Sequence, residues 1–134
     1  MEKMEQHFLV VDDLSTIRRM VMGILKDLEY TRMVDADDGS SAWKILEAGQ
    51  VPVSFVITDW NMPTMDGLAL LRKIREEPRL AKLPVLMITS EARKESVVSA
   101  AEAGADGYII KPFNAATLND KIQKIVARRA QLAA

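Results

Sequence analysis

The chain has 134 residues, a length that suits one domain and can bury a hydrophobic core. Apolar residues make up 49% and charged residues 28%, which excludes disordered and fibrous classes. The net charge is −1, whereas nucleic-acid-binding domains usually carry a basic surface, so we expect no nucleic-acid partner. The absence of cysteine excludes disulfide and thiolate chemistry and fits a reducing compartment.

The sequence lacks the signals of a secreted or membrane protein. The N-terminal MEKMEQHF contains acids and no apolar core of a signal peptide, and runs such as PVLMI are far shorter than the roughly 20 residues of a membrane span. We therefore expect a cytoplasmic protein without a membrane partner. The one histidine, His7, cannot build a histidine metal site, and we expect it to be solvated at the start of a strand.

Five apolar runs of strand length alternate with helical patterns, without a linker or repeat, so residues 1–134 are predicted to be a single domain. Several runs are apolar at consecutive positions, as in strands covered on both faces. The predicted strands are Phe8–Val11, Arg32–Ala36, Ser54–Thr58, Pro84–Thr89 and Gly107–Ile110.

Five helices are predicted between and after these strands. The first is the clearest, with one apolar face formed by Ile17, Met20, Val21, Ile24, Leu25 and Leu28. The others are expected from a cap at Asp38 or Ser40 through Ala48, from Asp66 to about Glu76, from about Arg93 to Ala103 before Gly104, and from about Ala115. The order βαβαβαβαβα predicts an α/β fold with a parallel sheet between two layers of helices, but leaves the strand order open.

Polar residues follow the predicted strands at their carboxyl ends, where open parallel sheets bind ligands. Asp12 and Asp13 follow strand 1, Asp59 follows strand 3, Thr89 ends strand 4 and Lys111 follows strand 5. Neighbouring carboxylates repel one another and call for a cation, and oxygen ligands favour Mg²⁺. A dication and an ammonium group that face a carboxylate nucleophile indicate phosphoryl transfer through an aspartyl phosphate.

Four motifs resemble those of response-regulator receiver domains: VVDD (10–13), TDWNMPTMDG (58–67), PVLMITSE (84–91) and GADGYIIKPF (104–113). The resemblance covers roughly residues 8–126 and is closest to the chemotaxis members of the family, through FLVVDDLSTIRRMV and NAATLNDKI. It implies a two-component signalling protein with a flavodoxin-like (βα)5 fold. The implied sheet has five parallel strands in the order 2-1-3-4-5.

The resemblance also implies a role for each residue of the site. Asp59 would be the phosphoacceptor, Lys111 would pair with the phosphoryl group, and the Lys111–Pro112 peptide bond would be cis. Thr89 would be the switch hydroxyl and Tyr108 the aromatic that changes rotamer. The implied Mg²⁺ ligands are Asp13, Asp59 and the backbone carbonyl of Asn61, with Asp12 acting through water.

Two further groups of residues are assigned functions. Asn61 and Glu91 are polar and near the expected phosphate, so they are candidates to orient a hydrolytic water. The face formed by helix 4, strand 5 and helix 5 mixes apolar and basic side chains, which suits an amphipathic acidic partner segment. Its candidate contacts are Ala92, Val97, Ala101, Tyr108, Ile110, Phe113, Lys121 and Lys124.

The implied partners are a histidine kinase of the CheA type, a flagellar motor switch peptide and, optionally, a phosphatase, with the protein acting as a monomer. We expect a phosphoacceptor rather than an enzyme, with only self-catalysed phosphotransfer and slow self-dephosphorylation. No DNA-binding segment follows, so we expect no direct control of transcription. Three alternatives stay open: a receiver that acts as a phosphate sink or on a non-flagellar partner, an aspartate-nucleophile phosphatase, and a flavodoxin-like FMN protein.

Overall fold

The five apolar runs form parallel strands, and their consecutive apolar residues are covered on both faces. A computed structural model describes residues 6–133. The strands are β1 (His7–Val11), β2 (Arg32–Ala36), β3 (Phe55–Thr58), β4 (Val85–Thr89) and β5 (Gly107–Ile110). All neighbours pair in parallel, in the order β2-β1-β3-β4-β5. This confirms the flavodoxin-like strand order that the resemblance implied.

The helices begin close to the predicted caps. They are α1 (Ser15–Asp27), α2 (Gly39–Ala48), α3 (Gly67–Glu76), α4 (Lys94–Glu102) and α5 (Ala115–Ala133). Of the two candidate caps for α2, the structure selects Asp38, whose carboxylate accepts the Ser41 N–H at 2.8 Å. Asp66 caps α3 in the same way, through the Ala69 N–H at 2.8 Å.

The sheet separates two apolar clusters, because alternate residues of each strand point to opposite faces. Phe8, Val10 and Ile57 face α1 and α5, while Leu9 and Val11 belong to the cluster that packs against α2, α3 and α4. Both clusters hold the central strands in place, so the carboxyl ends of β1 and β3 are fixed positions. Within residues 6–133, no helix combines the length and the apolar character that crossing a membrane requires.

A largely buried ion-pair network holds the amino-terminal edge of the sheet. Asp106, just before β5, accepts hydrogen bonds from Arg75 of α3 at 3.0 Å, from Arg129 of α5 at 2.9 Å and from the Val85 N–H at 2.8 Å. The three charged side chains are only 10–25% exposed. The network therefore joins α3, β4, β5 and α5 at the edge opposite the strand ends that carry the predicted site.

His7 begins β1, as predicted, but it is half-buried instead of solvated. Its Nδ1 atom is buried without a hydrogen-bond partner, and its strand pairs with Arg32 of β2 at this position. Its backbone N–H donates to the Ser54 hydroxyl at 2.8 Å. Burial lowers the pKa of the imidazole, and the charge of Arg32 on β2 lowers it further.

His7→Gln is expected to flatten the pH dependence of stability. The unfolded chain binds a proton on His7 below about pH 6.5, whereas the native imidazole resists protonation, so the free energy of unfolding falls as the pH falls through this value. Urea unfolding between about pH 7 and pH 5 should show a smaller loss for the variant than for the wild type. Equal losses would mean that His7 titrates alike in both states.

Candidate functional site

Two buried carboxylates lie side by side at the carboxyl ends of β1 and β3. The register pairs Val11 with Thr58, and the ladder continues one residue further, where the Asp59 N–H donates to the Val11 carbonyl at 2.9 Å. Asp12 and Asp59, the next residues on each strand, are only 3% and 8% exposed. Two buried like charges destabilise the fold unless a cation pairs with them.

Lys111 supplies that cation from the end of β5. Its Nζ lies 3.0 Å from Asp12 Oδ2 and 3.3 Å from Asp59 Oδ2, and its backbone N–H donates to the Thr89 carbonyl at 2.9 Å. Burial alone would lower the pKa of Lys111, but the hydrogen bond to Asp12 and the charge of Asp59 outweigh it and raise this pKa. The Lys111–Pro112 peptide bond is cis, as predicted.

The second oxygen of each buried carboxylate accepts a backbone N–H. The Leu14 N–H donates to Asp12 Oδ1 at 2.9 Å, and the Trp60 N–H donates to Asp59 Oδ1 at 2.6 Å. Burial raises the pKa of Asp12, against the opposing effects of the Leu14 N–H and Lys111. Each carboxylate is thus oriented from two sides, by the backbone and by the same ammonium group.

Arg18 is a supporting residue that the sequence analysis missed. Its Nη1 donates to the backbone carbonyl of Asp12 at 2.7 Å, and its Nε pairs with Asp35 of β2 at 2.8 Å. The side chain is 17% exposed. Its position in the first turn of α1, a few residues after the acidic pair, was visible in the sequence, but nothing there showed that it reaches back to the strand end.

Asp13 completes an acidic group that fits a metal ion. Carboxylate oxygens of Asp12, Asp13 and Asp59 lie within 4.8 Å of one another, and Asp13 is exposed to solvent. Octahedral Mg²⁺ ligands at 2.0–2.1 Å lie about 3–4 Å apart, so the most distant of these oxygens need to approach by about 1–2 Å. An all-oxygen donor set of this kind fits Mg²⁺. Asn61 is exposed in the loop after β3, and the ligand role of its carbonyl stays a prediction.

The loop from β3 to α3 folds back tightly against the phosphoacceptor candidate. The Gly67 N–H donates to the Trp60 carbonyl at 2.8 Å, and a Cβ at position 67 would overlap the carbonyl oxygen of Asp59. Only glycine permits this approach. Thr64, at the loop's tip, has a φ of 62°, which is strained for a β-branched residue. The second acid and the glycine of the TDWNMPTMDG motif therefore start α3 and close the loop under Asp59.

The two predicted switch residues meet at the backbone of Glu91. Thr89 is fully buried, and its hydroxyl oxygen accepts the Glu91 N–H at 3.2 Å. The Tyr108 hydroxyl donates to the Glu91 carbonyl at 2.7 Å, and its ring packs edge-on against Trp60, with centroids 6.4 Å apart. Burial raises the pKa of Tyr108, and the charges of Glu91 and Asp59 add to this effect. Trp60 was not predicted as a contact, because its ring partner depends on the strand order.

The residues predicted to contact a partner all keep some exposure. A groove of about 480 Å³ runs between β5 and α5, and its lining includes Tyr108, Ile110, Phe113 and Lys121 from the predicted set. The remaining members lie outside it: Ala92, Val97, Ala101 and Lys124. Val98 of α4, which is 45% exposed, is an apolar surface residue that the prediction missed. That all these residues contact a partner stays a prediction.

Comparison with known proteins gives the same class of protein as the fold and the acidic strand ends indicate. The chain belongs to the family of response regulator receiver domains, whose model matches residues 8–123. It is thus a two-component response regulator of the CheY-like class, as the motifs predicted. The family assignment also favours a signalling phosphoacceptor over the flavin-protein and phosphatase alternatives.

Relatives with chemotaxis names match nearly the whole chain. The chain is 52% identical to the chemotaxis protein CheY-3 of Vibrio cholerae, over 90% of this chain and 91% of that protein. It is 48% identical to the chemotaxis protein CheY of Pseudomonas aeruginosa, over 90% and 95%. Among solved structures, V. cholerae CheY4 is 32% identical and superposes with a TM-score of 0.81, covering 90% of this chain and 98% of that one. A receiver domain protein from Clostridium thermocellum, 26% identical, gives 0.83 over 95% and 98%.

Mg²⁺ is expected to raise the melting temperature, because a dication relieves the repulsion among the three carboxylates. Binding to the native state alone adds about 2.7 kcal/mol to the free energy of unfolding at a hundredfold excess over Kd. Asp13→Asn should remove most of the Mg²⁺-dependent shift. Asp27→Asn, at the exposed end of α1, makes the same charge change and should keep the shift. A wild-type melting curve that ignores Mg²⁺ would count against the site.

Proposed function

We propose that the protein accepts a phosphoryl group on Asp59 from a histidine kinase of the CheA type, in a Mg²⁺-dependent reaction. The observation that carries the proposal is the buried pair of Asp12 and Asp59, bridged by Lys111, with an oxygen of Asp13 within 4.8 Å. Mg²⁺ held by Asp12, Asp13, Asp59 and the Asn61 carbonyl would offset the charge of the incoming phosphoryl group. Lys111 supplies the second positive charge.

Asp59 performs the covalent step. One carboxylate oxygen forms a bond to the donor phosphorus, the bond from phosphorus to the donor histidine nitrogen breaks, and its electron pair stays on the imidazole. The β1–β3 ladder fixes the nucleophile, and the Trp60 N–H and Lys111 orient its oxygens. The protein is the phosphoacceptor and not a turnover enzyme. Asn61 and Glu91 are our candidates for orienting the water of slow self-dephosphorylation.

The phosphoryl group acts as a signal by favouring one of two conformations. A phosphoryl oxygen near Thr89 would accept a hydrogen bond from its hydroxyl group. This would draw the side chain away from the Glu91 N–H, which now donates to the hydroxyl oxygen. Movement of Thr89 would then alter the bond between Tyr108 and the Glu91 carbonyl. The affected surface is the α4–β5–α5 face, so partner affinity changes with phosphorylation.

The partner that fits this face is an amphipathic acidic segment. Ile110 and Phe113 offer apolar contacts in the groove, and Lys121 offers positive charge. Together with the chemotaxis names of the relatives, this supports a flagellar motor switch peptide as the ligand.

We place the whole chain, residues 1–134, in one receiver domain that acts as a cytoplasmic monomer. A phosphatase that shortens the signal is a compatible third partner.

Asp59→Asn is expected to abolish Mg²⁺-dependent phosphorylation. Intact mass after incubation with phosphoramidate should show one phosphoryl adduct on the wild type, and none on the variant or in EDTA. Asp66→Asn is the matched control: the asparagine still caps α3, so the adduct should form. Full labelling of Asp59→Asn would refute the assignment. Turnover of phosphomonoesters would instead favour the phosphatase alternative.

Thr89→Ala and Tyr108→Ala are expected to weaken the same signal. Beryllofluoride with Mg²⁺ should raise the affinity of the wild type for the acidic peptide, within the roughly 5- to 150-fold range of a typical coupling. Each variant should lose much of that gain. The double variant should lose little more, because both hydroxyls act through Glu91 and effects within one network are not additive.

The measurement is the affinity of the acidic peptide for the wild type, the two single variants and the double variant, with and without beryllofluoride. Losses that simply add would show two independent routes from Asp59 to the surface. A wild type that takes beryllofluoride but binds no acidic peptide would leave the phosphate-sink or non-flagellar role as the better account.

A further inference from the structure

We infer that Glu91 is a positioning residue that couples both switch residues to the start of helix α4. The inference rests on the proposed function and adds a route by which the signal reaches the helix. Three groups of Glu91 each hold a different part of the molecule. Its N–H donates to Thr89, its carbonyl accepts from Tyr108, and its carboxylate binds the first turn of α4.

The carboxylate acts as a substitute cap for α4. The N-cap residue of this helix is Arg93, whose side chain makes no capping hydrogen bond. Instead, Glu91 Oε1 accepts the Arg93 N–H at 3.1 Å. A negative charge at this end of a helix is further favoured by the helix dipole. The anchor of α4 thus lies outside the helix, in the loop that carries the switch.

Little else holds the first turn of α4. The buried residues of this helix are Ser96 and Ala100, whose small side chains bury little area. The Arg93 guanidinium also pairs with Glu91, at 2.9 Å, but its side chain is 74% exposed, and exposed ion pairs contribute little. The hydrogen bond from the Arg93 N–H is therefore the contact through which Glu91 holds α4.

The geometry divides the signal into two branches. If Thr89 releases the Glu91 N–H, the shift of this residue reaches Tyr108 through the backbone carbonyl and reaches α4 through the carboxylate. Replacing the side chain of Glu91 cuts only the second branch, because the N–H and the carbonyl remain. Trp60 follows Asp59 directly and packs on the Tyr108 ring, so its fluorescence reports that beryllofluoride has bound and that the Asp59–Tyr108 side of the site has responded.

The test is hydrogen exchange of the amides of residues 93–97, with Trp60 fluorescence recorded on the same samples, before and after saturation with beryllofluoride and Mg²⁺. Glu91→Ala should exchange about fivefold faster in this segment before addition, the change expected for a lost cap. Beryllofluoride should then leave its α4 exchange unchanged, while Trp60 fluorescence still responds. In the wild type both should respond.

Two variants separate coupling from a general loss of structure. Glu91→Gln keeps an oxygen that accepts the Arg93 N–H and should restore most of the wild-type exchange response. Arg93→Ala removes the exposed guanidinium but keeps the backbone N–H, and should behave like the wild type. If beryllofluoride changes the amide exchange of α4 in Glu91→Ala as it does in the wild type, the coupling through Glu91 is wrong, while the proposed function stands. A wild type whose Trp60 fluorescence and α4 exchange both ignore beryllofluoride would overturn the proposed function, and the coupling with it.

Discussion

Two carboxylates, those of Asp12 and Asp59, are buried at the ends of adjacent strands and share a single ammonium group. Two such charges about 5 Å apart repel by about 3 kcal/mol at an effective dielectric constant of 20. With Asp13 the group holds three negative charges. Lys111 offsets one of them, so a net charge of −2 remains. This remainder matches the charge of a dication, and the three oxygen donors, held by a fixed strand register, fit Mg²⁺.

The strand ladder also connects the buried carboxylates to Thr89, one of the two proposed switch residues. Lys111 binds both buried carboxylates, and its backbone N–H bonds to the carbonyl of Thr89. At the opposite edge, the pairs of Asp106 with Arg75 and Arg129 hold β5 and α5 to the body of the protein. In the proposed switch, a change at the carboxyl edge would therefore be directed into the β4–α4 loop and the weakly buried helix α4 instead of shifting the whole layer.

The sequence predicted most of the fold, because each strand is a short apolar run and the caps Asp38 and Asp66 mark helix starts. The acidic strand ends followed from the same pattern, since parallel strands bring their carboxyl ends to one edge. Contacts made across the fold could not be predicted: Arg18 on the Asp12 carbonyl, the partners of Asp106, and the burial of the His7 Nδ1 atom. Each depends on side-chain reach between elements far apart in the chain. Alternation alone also left the strand order open, and only the resemblance supplied it.

A contact of this kind changes the role that can be assigned to Glu91. The sequence placed it among groups that could orient water at the phosphate, but its carboxylate is engaged by the start of α4 in this structure. The Arg93 contacts lower the pKa of this carboxyl, so it stays ionised as an acceptor at neutral pH. One carboxylate cannot cap the helix and orient water near Asp59 at the same time. If it serves both roles, release of α4 and hydrolysis of the phosphoryl group are linked, and the lifetime of the signal depends on how firmly Glu91 holds the helix.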